Sequence, residues 1–415
     1  MKSKKICIRI NNDLLSKLCT RYSLDFSTAN ISDMIKNCVK DCILEQMLYT
    51  KCKRQQTPLM TLNNVKKQKK DCSADTRISV RIDIDILEYV KKYYNTTSQT
   101  TAILCCIYDV LNNTADNHTL TSRYSVFYMV GQKNPQMQEF LNSIFNDIKG
   151  NNAVERYIEP FTGTANVLLH SEKNDTEFIN DNSSDLINLL RVIQRYPFDL
   201  KFELLKLDVS KETFDTIKHR LLLPFSLKSS KKAKLDRAVA FYFCRYASVY
   251  GRGESYKKTL TQKAFLRKLD TLSVISKRLE HANIKKNNAL YFSKSLCNSE
   301  HQLIYIDAPY IKSEEHYKMN NKKNTVFSSH TALRNKVEKL RKNNICLISY
   351  RITASATMRK NGITDKSITK ILDRLFCQRN YYYILKPLKA TNGQVEILLS
   401  THPFNGATPY AQPLS

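Results

Sequence analysis

The first pattern in the chain is a strict alternation. Ile6, Ile8 and Ile10 are apolar, and Lys5, Cys7 and Arg9 fall beside and between them. A period of two predicts a strand with one buried face. The spacing then lengthens: Leu14, Leu15, Leu18 and Tyr22 recur as on one face of a helix. A polar turn, Ser27-Thr28-Ala29-Asn30, leads to a second helical pattern at Ile31, Ile35 and Val39. The whole succession then recurs at a constant offset. Ile78, Val80 and Ile82 match the strand. Ile86, Leu87, Val90 and Tyr94 match the first helix, and Ile103, Ile107 and Leu111 the second. Agreement at so many positions without an insertion marks a duplicated strand–helix–helix unit. Asp13 and Asp85 occupy equivalent places and are expected to cap the first helix of each copy.

The copies are expected to span 1–49 and 77–113. The intervening 50–76 lacks any apolar period, contains Lys66-Lys67-Gln68-Lys69-Lys70, and is expected to be a flexible basic linker. Alternation leaves Lys5, Cys7 and Arg9 of one strand, and Arg77, Ser79 and Arg81 of the other, on unburied faces. A polar stretch, 112–122, precedes a change of texture at Tyr124.

Beyond it, apolar strand runs alternate with helical ones. A helix is expected over 137–148, a short strand from Arg156, a small-residue turn around Gly163 and a helix from about Ala165. Further strands are expected at 178–181, 303–306 and 345–350, with a helix over 333–342 before the last. The segments 381–385 and 395–399, with Asn392-Gly393 between them, predict a hairpin. The class expected for this body, over 120–405, is α/β with a mostly parallel sheet.

Two strand ends carry chemistry. Asp181 closes the strand after the Gly163 turn, a position suited to a ribose diol; it is equally placed to cap the next helix. Asp307-Ala308-Pro309-Tyr310 follows the strand 303–306. A carboxylate with a neighbouring carbonyl can accept both hydrogens of an exocyclic amine, proline stiffens the turn, and tyrosine can stack on a planar base.

Charge narrows the class. The 415 residues carry 66 Lys+Arg against 38 Asp+Glu, a formal net charge of +28, which points to a polyanionic partner, most simply nucleic acid. The 12 cysteines form no CxxC pair, and Cys38 and Cys42 sit one helical turn apart on an apolar face, where packing rather than zinc is expected. No metal site is expected. The start, Met1 to Lys5, is basic but runs into an alternating strand and not a signal peptide, and no run approaches the roughly 18 apolar residues of a membrane span. A reducing cytoplasm is the expected compartment.

Two resemblances gather these observations. From about Tyr124 to Phe404 the chain resembles the N6-adenine DNA methyltransferases of the DNA adenine methylase type. Gly131-Gln132-Lys133 is similar to that family's N-terminal cofactor motif. Glu159-Pro160-Phe161-Thr162-Gly163-Thr164-Ala165 is similar to its Glu-Pro-Phe-x-Gly-x-Gly motif. The segment 180–187, beginning Asn180-Asp181, is similar to its ribose-binding strand and following helix. Phe241 to Tyr246 sits where that family has a helix leading to target recognition, and Asp307-Ala308-Pro309-Tyr310 is similar to its Asp-Pro-Pro-Tyr motif. Ala165 and Ala308 depart from the pattern, and 246–253 differs from the usual stretch. The resemblance implies a Rossmann-like sheet with a target-recognition region inserted over about 196–291. It implies S-adenosylmethionine as methyl donor, held by Gln132, Lys133, Glu159, Pro160, Phe161, Gly163, Ala165 and Asp181. It implies Asp307, Ala308, Pro309 and Tyr310 as the catalytic residues, acting on N6 of a flipped-out adenine in double-stranded DNA. Arg245 and Arg252, in the inserted region, are expected to meet DNA. The duplicated unit resembles the ribbon-helix-helix DNA-binding fold, which implies that Lys5, Arg9, Arg77, Ser79 and Arg81 face bases. It also implies that the two copies pair within one chain, so that a monomer suffices. A non-enzymatic DNA-binding regulator and an RNA methyltransferase are the competing functions, and the sequence leaves open a cognate restriction endonuclease.

Overall fold

In a computed structural model, the described residues are 3–22, 30–51, 75–112, 125–127, 133, 135–151, 154–289, 300–309, 330–353, 382–387, 394–401 and 412–413. The chain divides into two compact units. One comprises Met1–Thr121 with Lys201–Lys206, the other Ser122–Leu200 with Leu207–Ser415.

In the first unit, β1 (Ser3–Asn11) is followed by helices Asn12–Arg21 and Ile31–Lys51, and β2 (Asp75–Asp83) by helices Ile84–Tyr93 and Gln99–Asn112. The residues between the copies that lie outside the described set are therefore 52–74. β1 and β2 pair antiparallel, Cys7 opposite Ser79, as a two-stranded ribbon. Ile6, Ile8 and Ile10 of β1 and Ile78, Val80 and Ile82 of β2 are all buried, as period two requires. Leu14, Leu15, Leu18, Ile35 and Val39, with Ile86, Leu87, Val90, Ile103 and Ile107, complete this core. Asp13 and Asp85 are not caps. Each helix begins one residue before its aspartate, which lies in the first turn, where a carboxylate still meets the positive end of the helix dipole.

The second unit is built on an eight-stranded sheet of order β10-β8-β9-β7-β6-β3-β4-β5. Its strands are β3 (Arg156–Glu159), β4 (Thr176–Asp181), β5 (Asn283–Lys286), β6 (Gln302–Ile306), β7 (Ile345–Thr353), β8 (Tyr382–Pro387), β9 (Gln394–Ser400) and β10 (Gln412–Pro413). β5, β4, β3, β6 and β7 pair in parallel; β9 runs against β7 and β8, closing the hairpin expected from the sequence. Its turn lies outside the described residues. From β3 the chain passes to β4 and β5 on one side, then to β6 and β7 on the other. The order therefore reverses between β3 and β6, the position at which open parallel sheets bind ligands. All five residues of β6 are buried, which explains the apolar run 303–306 that follows Gln302.

The segment 196–291 is mainly helical but not wholly an insertion. Its strand Asn283–Lys286 belongs to the sheet edge beside β4. Only Ile284 of that strand is buried, so no alternation was visible. Helix Lys231–Tyr246 packs on helix Ser184–Arg195, and Arg237 clamps Asp185 at 2.6 and 3.0 Å.

Candidate active site

β3 ends in a turn that fixes most of the site. Glu159 is 2% exposed. Its carboxylate accepts hydrogen bonds from Tyr157 Oη at 2.5 Å and Thr162 Oγ1 at 2.7 Å. Burial nevertheless dominates and pushes its pKa up to about 7. The Thr162 amide donates to the Asn180 carbonyl at 2.9 Å, tying the turn to β4, and the Ala165 amide returns to the Thr162 carbonyl at 2.8 Å. Gly163 and Ala165 both adopt left-handed backbone, φ 50° and 57°. Glycine enters that region freely, whereas alanine pays about 1 kcal/mol of steric strain or somewhat more.

Asp181, at the end of β4, reaches back to this turn. One oxygen accepts from the Gly163 amide at 3.2 Å and the other from the Ser183 amide at 2.8 Å. Burial pushes its carboxyl pKa up. Ser183, not Asp181, caps the next helix, accepting from the Leu186 amide at 3.3 Å. Asn180 has a part that sequence reasoning missed. Wholly buried, it donates to the carbonyls of Pro160 and Asn287, both at 3.0 Å, and so draws together the chain beyond β3, β4 and β5. An asparagine at a strand end gives no sequence signal distinguishing such a clamp from a turn residue.

Asp307 follows β6 across the switch point from β3. Lys133 Nζ lies 3.0 Å from each of its carboxylate oxygens; the lysine side chain is 1% exposed and the aspartate 21%. Sequence reasoning aimed Lys133 at a bound cofactor. Its ammonium meets Asp307, as a buried cation requires an opposite charge. Ala308 is buried and Pro309 half-buried beside it. Pro160 is buried and Phe161 half-buried in the β3 turn. Gln132 and Tyr310 lie outside the described residues.

Arg245 and Arg252 frame a tight loop. Arg245 donates to the Gly251 carbonyl at 2.8 Å and packs 5.2 Å from the Phe241 ring centroid; burial lowers its pKa to about 10. The loop is closed by a Ser248–Tyr256 bridge, a 2.9 Å bond from the Val249 amide to the Ser255 carbonyl and a 2.7 Å bond from the Gly253 amide to Ser248 Oγ. At its tip Tyr250 is 65% exposed in left-handed backbone, φ 54°, with the Arg252 guanidinium 5.8 Å from its ring centroid. An exposed aromatic held in strained backbone is a feature of functional surfaces. Tyr250 was not singled out from the sequence, where 246–253 stood out only as differing from the related family.

On the ribbon, Lys5, Cys7, Arg9, Arg77, Ser79 and Arg81 are all exposed. Cys7 Sγ lies 3.3 Å from Ser79 Oγ, and that hydrogen bond draws the thiol below its ordinary pKa. Among the described residues no group of His, Cys, Asp or Glu could hold a metal, and no helix is long and apolar enough to cross a membrane.

No curated protein matches the chain. The family model of the D12 class N6 adenine-specific DNA methyltransferases matches residues 130–375. That span contains the β3 turn, Asp181, Lys133 and Asp307, on a central, mostly parallel sheet of the kind such enzymes use. With over half of its length matched, the chain belongs to the D12 class N6 adenine-specific DNA methyltransferases and is an enzyme that methylates adenine in DNA.

Proposed function

We propose that the second unit transfers a methyl group from S-adenosylmethionine to N6 of a flipped-out adenine in duplex DNA, by direct in-line attack. The observation that carries this is Asp307 and the Ala308 carbonyl leaving β6 at the switch point, across from the β3 turn. The N6 amine is a weak nucleophile because its lone pair is delocalised into the ring. Asp307 accepts one of its hydrogens and the Ala308 carbonyl the other, which favours a pyramidal nitrogen. Lys133 lies 3.0 Å from both Asp307 oxygens, so the amine shares the carboxylate, which offers about four lone-pair sites, with that ammonium. This is catalysis by positioning and electrostatics, without a covalent enzyme intermediate.

The donor set suits the cofactor. Asp181 carries a carboxylate at the end of β4, where a ribose diol is bound in such sheets. The small residues Gly163 and Ala165 let backbone approach closely, and Phe161 offers a half-buried ring. When bound, S-adenosylmethionine supplies an electrophilic methyl group. Glu159 serves this pocket indirectly by holding Thr162 and the turn, and Tyr310 is assigned to stack on the extruded base. Tyr250 and Arg252 supply an aromatic wedge and a cation on the DNA side, and the exposed ribbon of the first unit binds duplex as a second surface.

Methyl incorporation into duplex DNA and into RNA tests the reading. Transfer to DNA alone, abolished by Asp307→Asn, is expected. Undiminished transfer by Asp307→Asn would overturn the assigned chemistry, and transfer to RNA would overturn the substrate. For the ribbon, Arg9→Ala with Arg81→Ala is expected to weaken duplex binding while leaving cofactor affinity unchanged.

A further inference from the structure

The two strands of the ribbon are not equal. Lys5 lies opposite Arg81 on one side of the central Cys7 and Ser79 pair, and Arg9 lies opposite Arg77 on the other. The duplication makes Lys5 the counterpart of Arg77, Cys7 of Ser79 and Arg9 of Arg81. An ideal twofold axis through the central pair would make the two ends alike. Instead, one end presents Lys5 with Arg81 and the other Arg77 with Arg9. The flanks differ as well: Ser3 faces Asp83 beyond the first end, and Asn11 faces Asp75 beyond the second.

We propose that the ribbon reads a duplex sequence with two unequal half-sites. They are alike where Arg9 and Arg81 meet the base pairs, and different where Lys5 and Arg77 do and at the centre. This rests on the ribbon's being a DNA-binding surface. Two-fold proteins read palindromes because the site mirrors their symmetry. A chain that supplies both strands is free of that constraint. An arginine fork pairs bidentately with O6 and N7 of guanine in a fixed plane, whereas lysine is a single mobile donor. Arg77 therefore demands more of its base pair than Lys5 does. At the centre, a serine hydroxyl donates and accepts readily, whereas a thiol does both weakly.

The core beneath the ribbon fixes the unlike pairing. Tyr94 of the second copy donates to Asp109 of its own copy. It also receives Gln46 Nε2 of the first copy at 2.7 Å and lies 3.1 Å from Cys42 Sγ. Its counterpart Tyr22 donates instead to Asp41, at 2.6 Å. A buried polar network that reaches from one copy into the other, with no mate among the described residues, favours unlike copies pairing over like ones.

The test selects bound sequences from a random duplex library with three full-length chains: wild type, Arg9→Ala/Arg81→Ala, and Lys5→Arg/Cys7→Ser, whose two strands then carry the same three central outward residues. A motif enriched by wild type and lost in the alanine chain belongs to the ribbon; a motif kept by both belongs to the methyltransferase unit. The ribbon motif is expected to have unlike halves. Doubling either half into a palindrome should weaken wild-type binding about tenfold, and the Lys5→Arg/Cys7→Ser chain should prefer the palindrome built on the Arg77 half. A palindromic wild-type ribbon motif would overturn the inference while leaving DNA binding intact. Identical motifs from wild type and the alanine chain would overturn DNA binding by the ribbon itself.

Discussion

Removing one partner of the Lys133 and Asp307 pair takes a 3.0 Å ion pair from the other. The Lys133 side chain is 1% exposed, so Asp307→Ala takes the facing carboxylate away from a buried ammonium. Truncation of a buried pair on one side costs about 3–5 kcal/mol. The reverse change is milder, because Asp307 keeps 21% of its surface in solvent. Lys133→Met should therefore cost only about 1–2 kcal/mol, discounted for that exposure. At roughly 2–4 °C per kcal/mol for a body of this size, Asp307→Ala should lower Tm by about 10 °C and Lys133→Met by about 4 °C. The double variant should melt well above the sum of those losses, because it buries no unpaired charge. Thermal unfolding followed by circular dichroism on the four chains closes the cycle, with a coupling of about 2 kcal/mol expected. Additive losses, within about 0.5 kcal/mol, would refute the pairing. The same reasoning makes Asp307→Asn, which keeps an acceptor oxygen beside Lys133, a cleaner probe of catalysis than alanine.

Glu159 makes stability depend on pH. Its folded pKa of about 7 lies above the ordinary 4.5, so the folded state holds the proton more tightly, and stability is lost as pH rises from 4.5 through about 7. The loss amounts to about 3 kcal/mol, and a plot of Tm against pH should be flatter for Glu159→Gln over that window; an unchanged slope would show that the carboxyl titrates normally. Ala165→Gly should be nearly neutral: strain relief of about 1–2 kcal/mol is offset by roughly 0.8 for the buried methyl and 0.4–1 for backbone entropy. A clear drop in its melting temperature would contradict the left-handed backbone at Ala165. Tyr250→Ala should weaken duplex binding about tenfold, the loss of one stacked base, with Tyr250→Phe close to wild type and neither altering Tm; equal affinity of the alanine chain would remove the wedge.

The duplicated unit was legible because its information is local. Alternation at Ile6, Ile8 and Ile10 states which face is buried, and the copy at Ile78, Val80 and Ile82 repeats it. The strand ends were legible for a related reason: Asp307 directly follows the apolar run of β6, and Asp181 closes β4 just after Phe178 and Ile179. β5 escaped notice because an edge strand with one buried residue has no period to detect. Asp13 and Asp85 lie in the first turn and not at the cap, which in the second copy is Asp83, because cap and first-turn carboxylates carry similar compositional signals.

What the sequence could not show is which buried polar group answers which. Lys133 and Asp307 are 174 residues apart, and Asn180 and Asn287 are 107 apart. Each pairing exists only because the parallel order of β5, β4, β3 and β6 brings strand ends to one edge. Topology thus changes the meaning of a residue without changing its chemistry. As a loop cation, Lys133 pointed to a cofactor or a phosphate; inside the folded edge its charge is balanced by the very carboxylate assigned to hold the adenine amine. The substrate amine must then share Asp307 with a buried ammonium. Lys133→Met should therefore alter the rate of methyl transfer at saturating cofactor more than it alters cofactor affinity, whereas a lysine that gripped the cofactor would show the opposite split. Single-turnover rates together with cofactor titration separate the two, and a pure loss of cofactor affinity would return Lys133 to the role first expected of it.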